Sequence, residues 1–128
     1  MKTVVCSGQA PQAIGPYSQA IKANGFLFIS GQIPLDSVSG QTVYGGIEPQ
    51  TYEVLNNLRA ILEQEKLTFS DVVKTTVFLQ DMNDFAVMNK IYGQYFTQEH
   101  PARACVQVDR LPRNVLVEME LIAVYPEP

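Results

Sequence analysis

The stretch that most constrains the fold reads Val115-Leu116-Val117-Glu118-Met119-Glu120-Leu121-Ile122-Ala123-Val124. Side chains alternate between the two faces of a strand, so the odd positions of this stretch form one unbroken apolar face. Glu118 and Glu120 lie together on the other face, between large aliphatic residues. A carboxylate in such surroundings costs free energy unless a cation or a hydrogen-bond donor meets it. The pattern therefore predicts a strand with one buried face and two glutamates that need a partner.

The best-placed partner is Arg103, which lies in a second predicted strand over residues 101–108. Arg103 shares one face of that strand with Cys105 and Gln107, while the alternate residues are apolar. The linker at 109–114 is short enough for a hairpin-like return, so we expect Arg103 and the two glutamates to lie close together on adjacent strands. Two interpretations are open. The pair is either a structural cross-strand ion pair or a guanidinium that binds a carboxylate ligand beside a glutamate that moves protons.

The rest of the chain predicts further strands and two amphipathic helices. Runs of apolar and β-branched residues predict the strands, and a cluster of turn-forming residues predicts a loop or irregular hairpin. The strands are predicted at 20–22, 26–31 and 72–80, and the loop at 36–46. Pro49 suits the first turn of a helix that ends near Lys66, and Asn83 or Asp84 can cap a second helix. The pattern predicts an α+β fold in which one mixed sheet carries both helices on one face. The other face then needs a cover, and a second copy of the chain is the simplest one.

The composition excludes several functional classes. A chain of 128 residues fits a single domain over residues 1–128. Basic residues are too few and too scattered for a nucleic-acid-binding surface, and the net charge is -4. Two cysteines without metal-ligand spacing and one histidine, His100, leave almost no material for a zinc site or a Ser-His-Asp triad, and no metal is expected. No stretch is long enough for a signal peptide or a bilayer span, so we expect a cytoplasmic protein with no membrane partner.

Several polar residues stand where the pattern favours apolar ones, and each has two interpretations. Asn89 lies in the apolar stripe of the second helix, either bonded to a nearby backbone group or as a pocket-lining donor. Tyr17 follows a Gly-Pro turn, and a core tyrosine is favoured over a directed hydroxyl group. Ser30 and Gly31 end a buried strand, either as a plain turn or as backbone that a ligand approaches closely. Cys105 is interpreted as a pocket wall rather than a nucleophile, because no histidine stands where it would activate the thiol.

Taken together, these motifs resemble the Rid (YjgF) family of small trimeric imine deaminases. The Pro-Ala-Arg element with the downstream Glu-Met is the most specific part of the resemblance. The matching segments span nearly the whole chain and are 13–19, 30–34, 73–78, 82–86, 92–96, 101–106 and 117–120. The resemblance implies a chorismate-mutase-like α+β fold and a homotrimer with pockets at the subunit interfaces.

The resemblance also implies an activity and a set of site residues. The implied reaction is hydrolysis of reactive 2-imino acids (2-iminobutanoate and 2-iminopropanoate) or their enamine tautomers to 2-keto acids and ammonia, with no metal or organic cofactor. By the family pattern, Arg103 binds the substrate carboxylate and Glu120 serves the catalytic water. The residues that the family pattern places along the pocket are Tyr17, Ser30, Gly31, Asn89 and Cys105. The pattern leaves the role of Glu118 open.

A second interpretation makes the protein a binding or regulatory module. The same interfacial pocket would then bind a keto acid or another small carboxylate without turning it over. A ribonuclease activity is the least supported, because the acidic balance and the lone histidine suit neither RNA binding nor general acid–base cleavage.

Overall fold

The computed structural model describes residues 1–127 and contains one six-stranded sheet with two helices packed on one of its faces. In chain order the elements are β1 (Thr3–Val5), β2 (Ala20–Ala23), β3 (Phe26–Gln32), α1 (Ile47–Gln64), β4 (Val72–Leu79), α2 (Phe85–Tyr95), β5 (Ala102–Gln107) and β6 (Val117–Val124). The predicted mixed sheet with both helices on one face is therefore confirmed, whereas the sequence analysis missed β1. The domain predicted over 1–128 includes Pro128, which lies outside the described residues.

The sheet order places β6 at the centre and β5 at an edge. The order is β1-β2-β3-β6-β4-β5, and only β4 and β5 run parallel to each other. The predicted hairpin between the last two strands is therefore wrong, because β4 lies between them. The reason is that β4, α2 and β5 form a strand–helix–strand crossover, which brings β5 back parallel to β4 on its outer side. The chain then crosses the end of β4, where Gln80 donates a hydrogen bond of 3.1 Å to the carbonyl of Leu116.

The core lies between the helices and the face of the sheet that they cover. The odd residues of β6 are at most 2% exposed, as the alternating pattern predicts: Val117, Met119, Leu121 and Ala123. They pack against the apolar stripes of both helices, whose buried members include Val54, Leu55, Leu58, Ile61, Leu62, Met88 and Ile91. Burial of each Val, Leu, Ile or Met side chain among them contributes about 1.5–3 kcal/mol to the hydrophobic free energy of folding.

The opposite side of the sheet, which we call the open face, points away from both helices. It carries the even residues of β6 and their neighbours on β3 and β4, including Phe28, Lys74, Thr76, Glu118, Glu120 and Ile122. Phe26 and Phe28 on this side remain 39% and 43% exposed. Within residues 1–127, neither helix combines the length and apolar character that a bilayer span requires.

Gln19 ties the segment before β2 to the end of β3. Its side chain is 3% exposed, accepts a hydrogen bond from the amide of Ser7 (2.6 Å), and donates to the carbonyls of Ser7 (3.2 Å) and Pro11 (2.8 Å). Its own carbonyl accepts from the amide of Ser30 (2.9 Å), and the Ser30 hydroxyl donates to the carbonyl of Ser18 (2.6 Å). These bonds fix residues 17–19 beside Ser30, which is where the open face meets the loop.

We expect Gln19→Leu to lower the free energy of unfolding by about 3 kcal/mol, since it leaves several buried backbone groups without partners. Urea unfolding at one fixed protein concentration measures the change. Gln9→Leu, at an exposed position of the same segment, is the matched control and should shift the midpoint little. Equal midpoints for the two variants would contradict the anchoring role of Gln19.

Candidate functional site

Arg103 lies on the helix-covered side of the edge strand β5, against α2. Its Nη1 donates a hydrogen bond of 2.7 Å to Oδ1 of Asn89. The guanidinium carbon lies 4.7 Å from the ring centroid of Tyr92 and 5.6 Å from that of Phe85. Asn89 therefore bonds to a cationic side chain rather than to a nearby backbone group. Two aromatic rings and an amide together hold the guanidinium in one place.

The spacing along α2 explains this arrangement. Phe85, Asn89 and Tyr92 are four and three residues apart, so they lie on one side of the helix. Tyr92 is itself fixed, because its hydroxyl shares a hydrogen bond of 2.7 Å with the hydroxyl of Thr75 on β4. Burial raises the pKa of Tyr92, against smaller opposite effects from Thr75 and Arg103, so this hydroxyl stays protonated. The sequence analysis did not single out Tyr92 and so missed its contact with Arg103.

A cleft of about 420 Å³ opens beside the guanidinium. We call it the arginine cleft, and its lining residues are Asn89, Tyr92, Gly93, His100, Pro101 and Arg103. Within residues 1–127, Asn89 is the only hydrogen-bond acceptor of the Arg103 side chain. A guanidinium carries several N–H donors, so most of them remain available to a ligand in the cleft. Such a planar array of donors suits a carboxylate.

Cys105 lies two residues after Arg103 on the same side of β5 and is half-buried. Burial raises the pKa of its thiol, and the nearby charge of Arg103 opposes this effect only in part. The thiol therefore stays protonated at neutral pH and is a poor nucleophile. This chemistry argues against Cys105 as a nucleophile.

Glu120 lies on the open face, in the central strand. Its β4 neighbour is Thr76, and the two residues border a cavity of about 290 Å³ together with Phe28, Lys74 and Ile122. Lys74 donates to the carbonyl of Thr75 and to the hydroxyl of Thr76, at 3.2 and 3.4 Å. In the part of the chain that the structure describes, no cationic group lies within 4.0 Å of the Glu120 carboxylate. The sequence analysis predicted that this glutamate needs a partner, but Glu120 is exposed, so water can solvate its carboxylate.

Glu118 lies on the same face and packs against Gly31. It is half-buried, and burial, followed by the negative charge of Glu120, raises the pKa of its carboxyl group. A Cβ atom at Gly31 would overlap Oε2 of Glu118 and lie 2.9 Å from its Cδ. Gly31 lies where the pairing of β3 with β6 is irregular, between Ile29 and Gln32. A side chain at this position would therefore displace the end of the Glu118 side chain.

Tyr17 and Ser30 lie beside this part of the open face. Tyr17 is 49% exposed, so the favoured interpretation as a core tyrosine is wrong. It is held in the surface segment that Gln19 anchors and borders a small cavity together with Gly31 and Gln32. The Ser30 hydroxyl is already engaged with the carbonyl of Ser18.

The structure therefore divides the predicted site residues into two groups. Asn89 and Arg103 line the arginine cleft, Cys105 lies on the same side of β5, and the others form what we call the open-face group: Tyr17, Ser30, Gly31 and Glu120. Arg103 pairs with Thr75, whose side chain is 2% exposed on the helix-covered side, whereas Glu120 pairs with Thr76 on the open face. The prediction that Arg103 and Glu120 lie close together on adjacent strands of one chain is wrong. A strand and the thickness of the sheet separate them, and among residues 1–127 they form no ion pair.

Comparison with known proteins identifies the family. The family model described as Endoribonuclease L-PSP matches residues 7–125. A RutC family protein of Pyrococcus horikoshii is 55% identical over 123 residues, which is 96% of this chain and 98% of that protein. A Mus musculus protein named 2-iminobutanoate/2-iminopropanoate deaminase is 49% identical over 124 residues, which is 97% of this chain and 92% of the mouse protein.

A solved structure agrees with these relatives. The crystal structure of E. coli TdcF with bound serine has a TM-score of 0.90 and 41% sequence identity, and the match covers 97% of this chain and 99% of that chain. The similarity extends over almost the full length of every chain compared. The chain therefore belongs to the Endoribonuclease L-PSP family, the family of the Rid (YjgF) proteins that its motifs resemble.

Proposed function

We propose that this protein hydrolyses reactive 2-imino acids, 2-iminobutanoate and 2-iminopropanoate among them, to 2-keto acids and ammonia. The arginine cleft is the observation that carries the proposal, because it offers a fixed guanidinium with available donors to a small carboxylate. The name of the mouse relative and the serine bound to E. coli TdcF support a ligand of this class.

The chemistry needs one positioned water and the transfer of two protons. The guanidinium of Arg103 would take the substrate carboxylate in two parallel hydrogen bonds and so fix the position of the C=N carbon. Glu120 would accept a proton from the water as its oxygen bonds to that carbon, and would pass this proton to the imine nitrogen, which gives a carbinolamine. Glu120 would then accept the proton of the carbinolamine hydroxyl group as the keto oxygen forms and the C–N bond breaks, and would pass it to the nitrogen that leaves as ammonia. The C=N carbon is already electrophilic, so the reaction we propose uses no cofactor.

The proposed site requires more than one copy of the chain, since Arg103 and Glu120 lie on opposite sides of the sheet. We propose a homotrimer in which β5 of one copy lies against the open face of the next. Head-to-tail contacts of this kind close into a ring. The half-exposed Phe28 and Val106, at 43% each, give apolar surface to such a contact. Arg103 of one copy would then supply the cation that Glu120 of the next copy lacks.

We expect Arg103→Ala to lower kcat/KM by about two to three orders of magnitude, because losing a charge-assisted contact costs about 3–4 kcal/mol in transition-state binding. Arg103→Lys should fall between this variant and the wild type, since lysine keeps the charge but not the planar array of donors. A threonine dehydratase supplies the imine, and semicarbazide competition reports its hydrolysis.

Arg110→Ala is the matched control, because Arg110 is exposed and bonds only to Asn114 among the described residues. Sedimentation should show the same oligomer for all three variants. A normal rate in Arg103→Ala would remove Arg103 from the mechanism. If the wild-type protein binds 2-ketobutyrate by calorimetry but hydrolyses no imine, the protein is a carboxylate-binding module instead.

A mixing experiment tests whether the site is shared between copies. Arg103→Ala and Glu120→Gln should each be nearly inactive alone. The two variants are then mixed in equal amounts, unfolded and refolded together. About a quarter of the wild-type activity should return, because random head-to-tail assembly joins an intact Arg103 to an intact Glu120 at about a quarter of the interfaces. A mixture as inactive as the separate variants would show that both groups act within one chain.

The protonated state of Cys105 predicts selective alkylation. At neutral pH, iodoacetamide should modify the exposed Cys6 at least about tenfold faster than Cys105, since the thiolate is the reactive form. Mass spectrometry of the peptides measures both rates, and the rate at Cys105 should rise as pH rises through the elevated pKa of its thiol. Faster labelling of Cys105 than of Cys6 would make Cys105 a candidate nucleophile.

A further inference from the structure

Thr75 is a polar residue on the buried face of β4. The next inward residues of this strand are Val77 and Leu79, and all three are at most 2% exposed. The Thr75 hydroxyl shares a hydrogen bond of 2.7 Å with the hydroxyl of Tyr92, a residue of α2 that is 5% exposed. Valine and phenylalanine would fill nearly the same space without burying two hydroxyl groups, and such an exchange is close to neutral for stability. Packing of the core therefore does not account for this pair of hydroxyl groups.

The hydroxyl pair lies directly beside the candidate carboxylate-binding residue. Thr75 on β4 pairs with Arg103 on β5, and both side chains contact α2. Tyr92 reaches both of them, because its hydroxyl meets Thr75 while its ring centroid lies 4.7 Å from the guanidinium carbon of Arg103. The three side chains form a triangle across two neighbouring strands and one helix. A shift of the Tyr92 ring therefore shifts the surface on which the guanidinium rests.

The other contacts of this triangle leave the direction of the Tyr92 ring to its hydroxyl. Phe96 stacks on the ring, with centroids 4.3 Å apart and planes 27° apart. Apolar packing of this kind restrains where the ring lies, whereas a hydrogen bond also restrains its direction. Asn89 holds the guanidinium of Arg103 through one atom, Nη1. The ring of Tyr92 is therefore the second restraint, and it decides how the guanidinium plane is turned about that hydrogen bond.

We propose that Thr75 and Tyr92 act together as positioning residues for Arg103. The hydroxyl pair fixes the ring, the ring fixes the guanidinium plane, and the N–H donors that Asn89 does not take then face the arginine cleft as a fork for a carboxylate. Neither Thr75 nor Tyr92 transfers a proton in this scheme. This inference rests on the proposed function, since it concerns how the same cleft receives the carboxylate of a 2-imino acid.

The first test separates the hydroxyl pair from core packing. A double variant, Thr75→Val with Tyr92→Phe, removes both hydroxyl groups and keeps both shapes, so its urea unfolding midpoint should stay near that of the wild type. Its kcat/KM for imine hydrolysis should nevertheless fall at least about tenfold, because the substrate carboxylate is then held in a less defined orientation.

Thr75→Ser is the conservative variant in this test. It keeps the hydroxyl group but removes a methyl group from the core, so it should unfold at lower urea than the double variant and still retain most of the wild-type activity. The predicted orders of stability and activity are therefore opposite for these two proteins. If activity follows stability instead, the hydroxyl pair is only structural and the proposal is wrong.

The second test asks whether the effect passes through Arg103. In an Arg103→Lys background, Tyr92→Phe should cost much less activity than in the wild type, since an ammonium group has no plane to orient. Tyr95→Phe is the matched control, because Tyr95 is also on α2, donates to Asn56 at 3.0 Å and lies 4.8 Å from a different arginine, Arg59. It should change kcat/KM less than about twofold. Equal losses from Tyr92→Phe in both backgrounds, or an equal loss in Tyr95→Phe, would overturn the positioning role.

A third measurement separates this proposal from the proposed function. Nitrogen NMR of the arginine side chains needs no substrate, and it reports how fast rotation about the Cζ–Nε bond exchanges the two Nη groups. The signals of Arg103 are those absent from Arg103→Lys. Their exchange rate should rise about tenfold in the double variant, as expected when the rotation barrier loses the contribution of one hydrogen bond. It should stay unchanged in Tyr95→Phe.

The two proposals therefore fail in different ways. An Arg103 exchange rate that the double variant leaves unchanged overturns the positioning role, whatever the activity of the enzyme. If the exchange rate rises as expected but the wild-type protein hydrolyses no imine, the proposed function fails and the positioning of Arg103 by Thr75 and Tyr92 stands.

Discussion

The alternation of side chains along β6 is the constraint on which the rest of the structure depends. The odd residues pack beneath α1 and α2, so the even residues have to point the other way. With two helices available, one face of the sheet is covered and the face that carries Glu118 and Glu120 is not. The position of both glutamates therefore follows from packing of the core, and neither can turn inward without exchanging the buried face for the open one.

The same constraint places the proposed carboxylate-binding residue, Arg103, and the proposed proton-transfer residue, Glu120, on opposite sides of the sheet in a single chain. Arg103 is fixed by Asn89 and Tyr92 without any help from Glu120. This half of the proposed site is preorganised, and its guanidinium keeps donors for a ligand. Glu120 lies on the opposite side of the sheet, with water-accessible surroundings and no cation within reach among residues 1–127. A site assembled from two copies would make catalysis depend on oligomer assembly, since a single copy does not bring Arg103 and Glu120 together.

The spacing of apolar residues predicted most helices and strands and the face on which each side chain lies. This was possible because the spacing involves only residues that are close in the sequence. It placed Glu118 and Glu120 correctly on one face of β6 and α1 within two residues at each end. The strand order was wrong because a short linker favours a hairpin, whereas the crossover through α2 decides where β5 pairs. The exposed position of Tyr17 depends on the hydrogen bonds from Gln19 to Ser7 and Pro11, and the contact between Gly31 and Glu118 joins two strands. Contacts between residues far apart in the sequence cannot be predicted from side-chain spacing.

Glu118 lowers the stability of the separate chain, and the direction of the effect with pH can be derived. The pKa of Glu118 is raised in the folded state, so between its ordinary value and the raised one the folded chain binds more protons than the unfolded chain. The free energy of unfolding therefore decreases as pH rises through that interval, and at neutral pH the chain bears the cost of an acid placed against apolar surface. A sequence under selection for stability alone would place an apolar residue at position 118, as it does at Leu116, Ile122 and Val124 on the same face. Glu118 and Glu120 interrupt the otherwise apolar run of β6, as a functional constraint on the open face predicts.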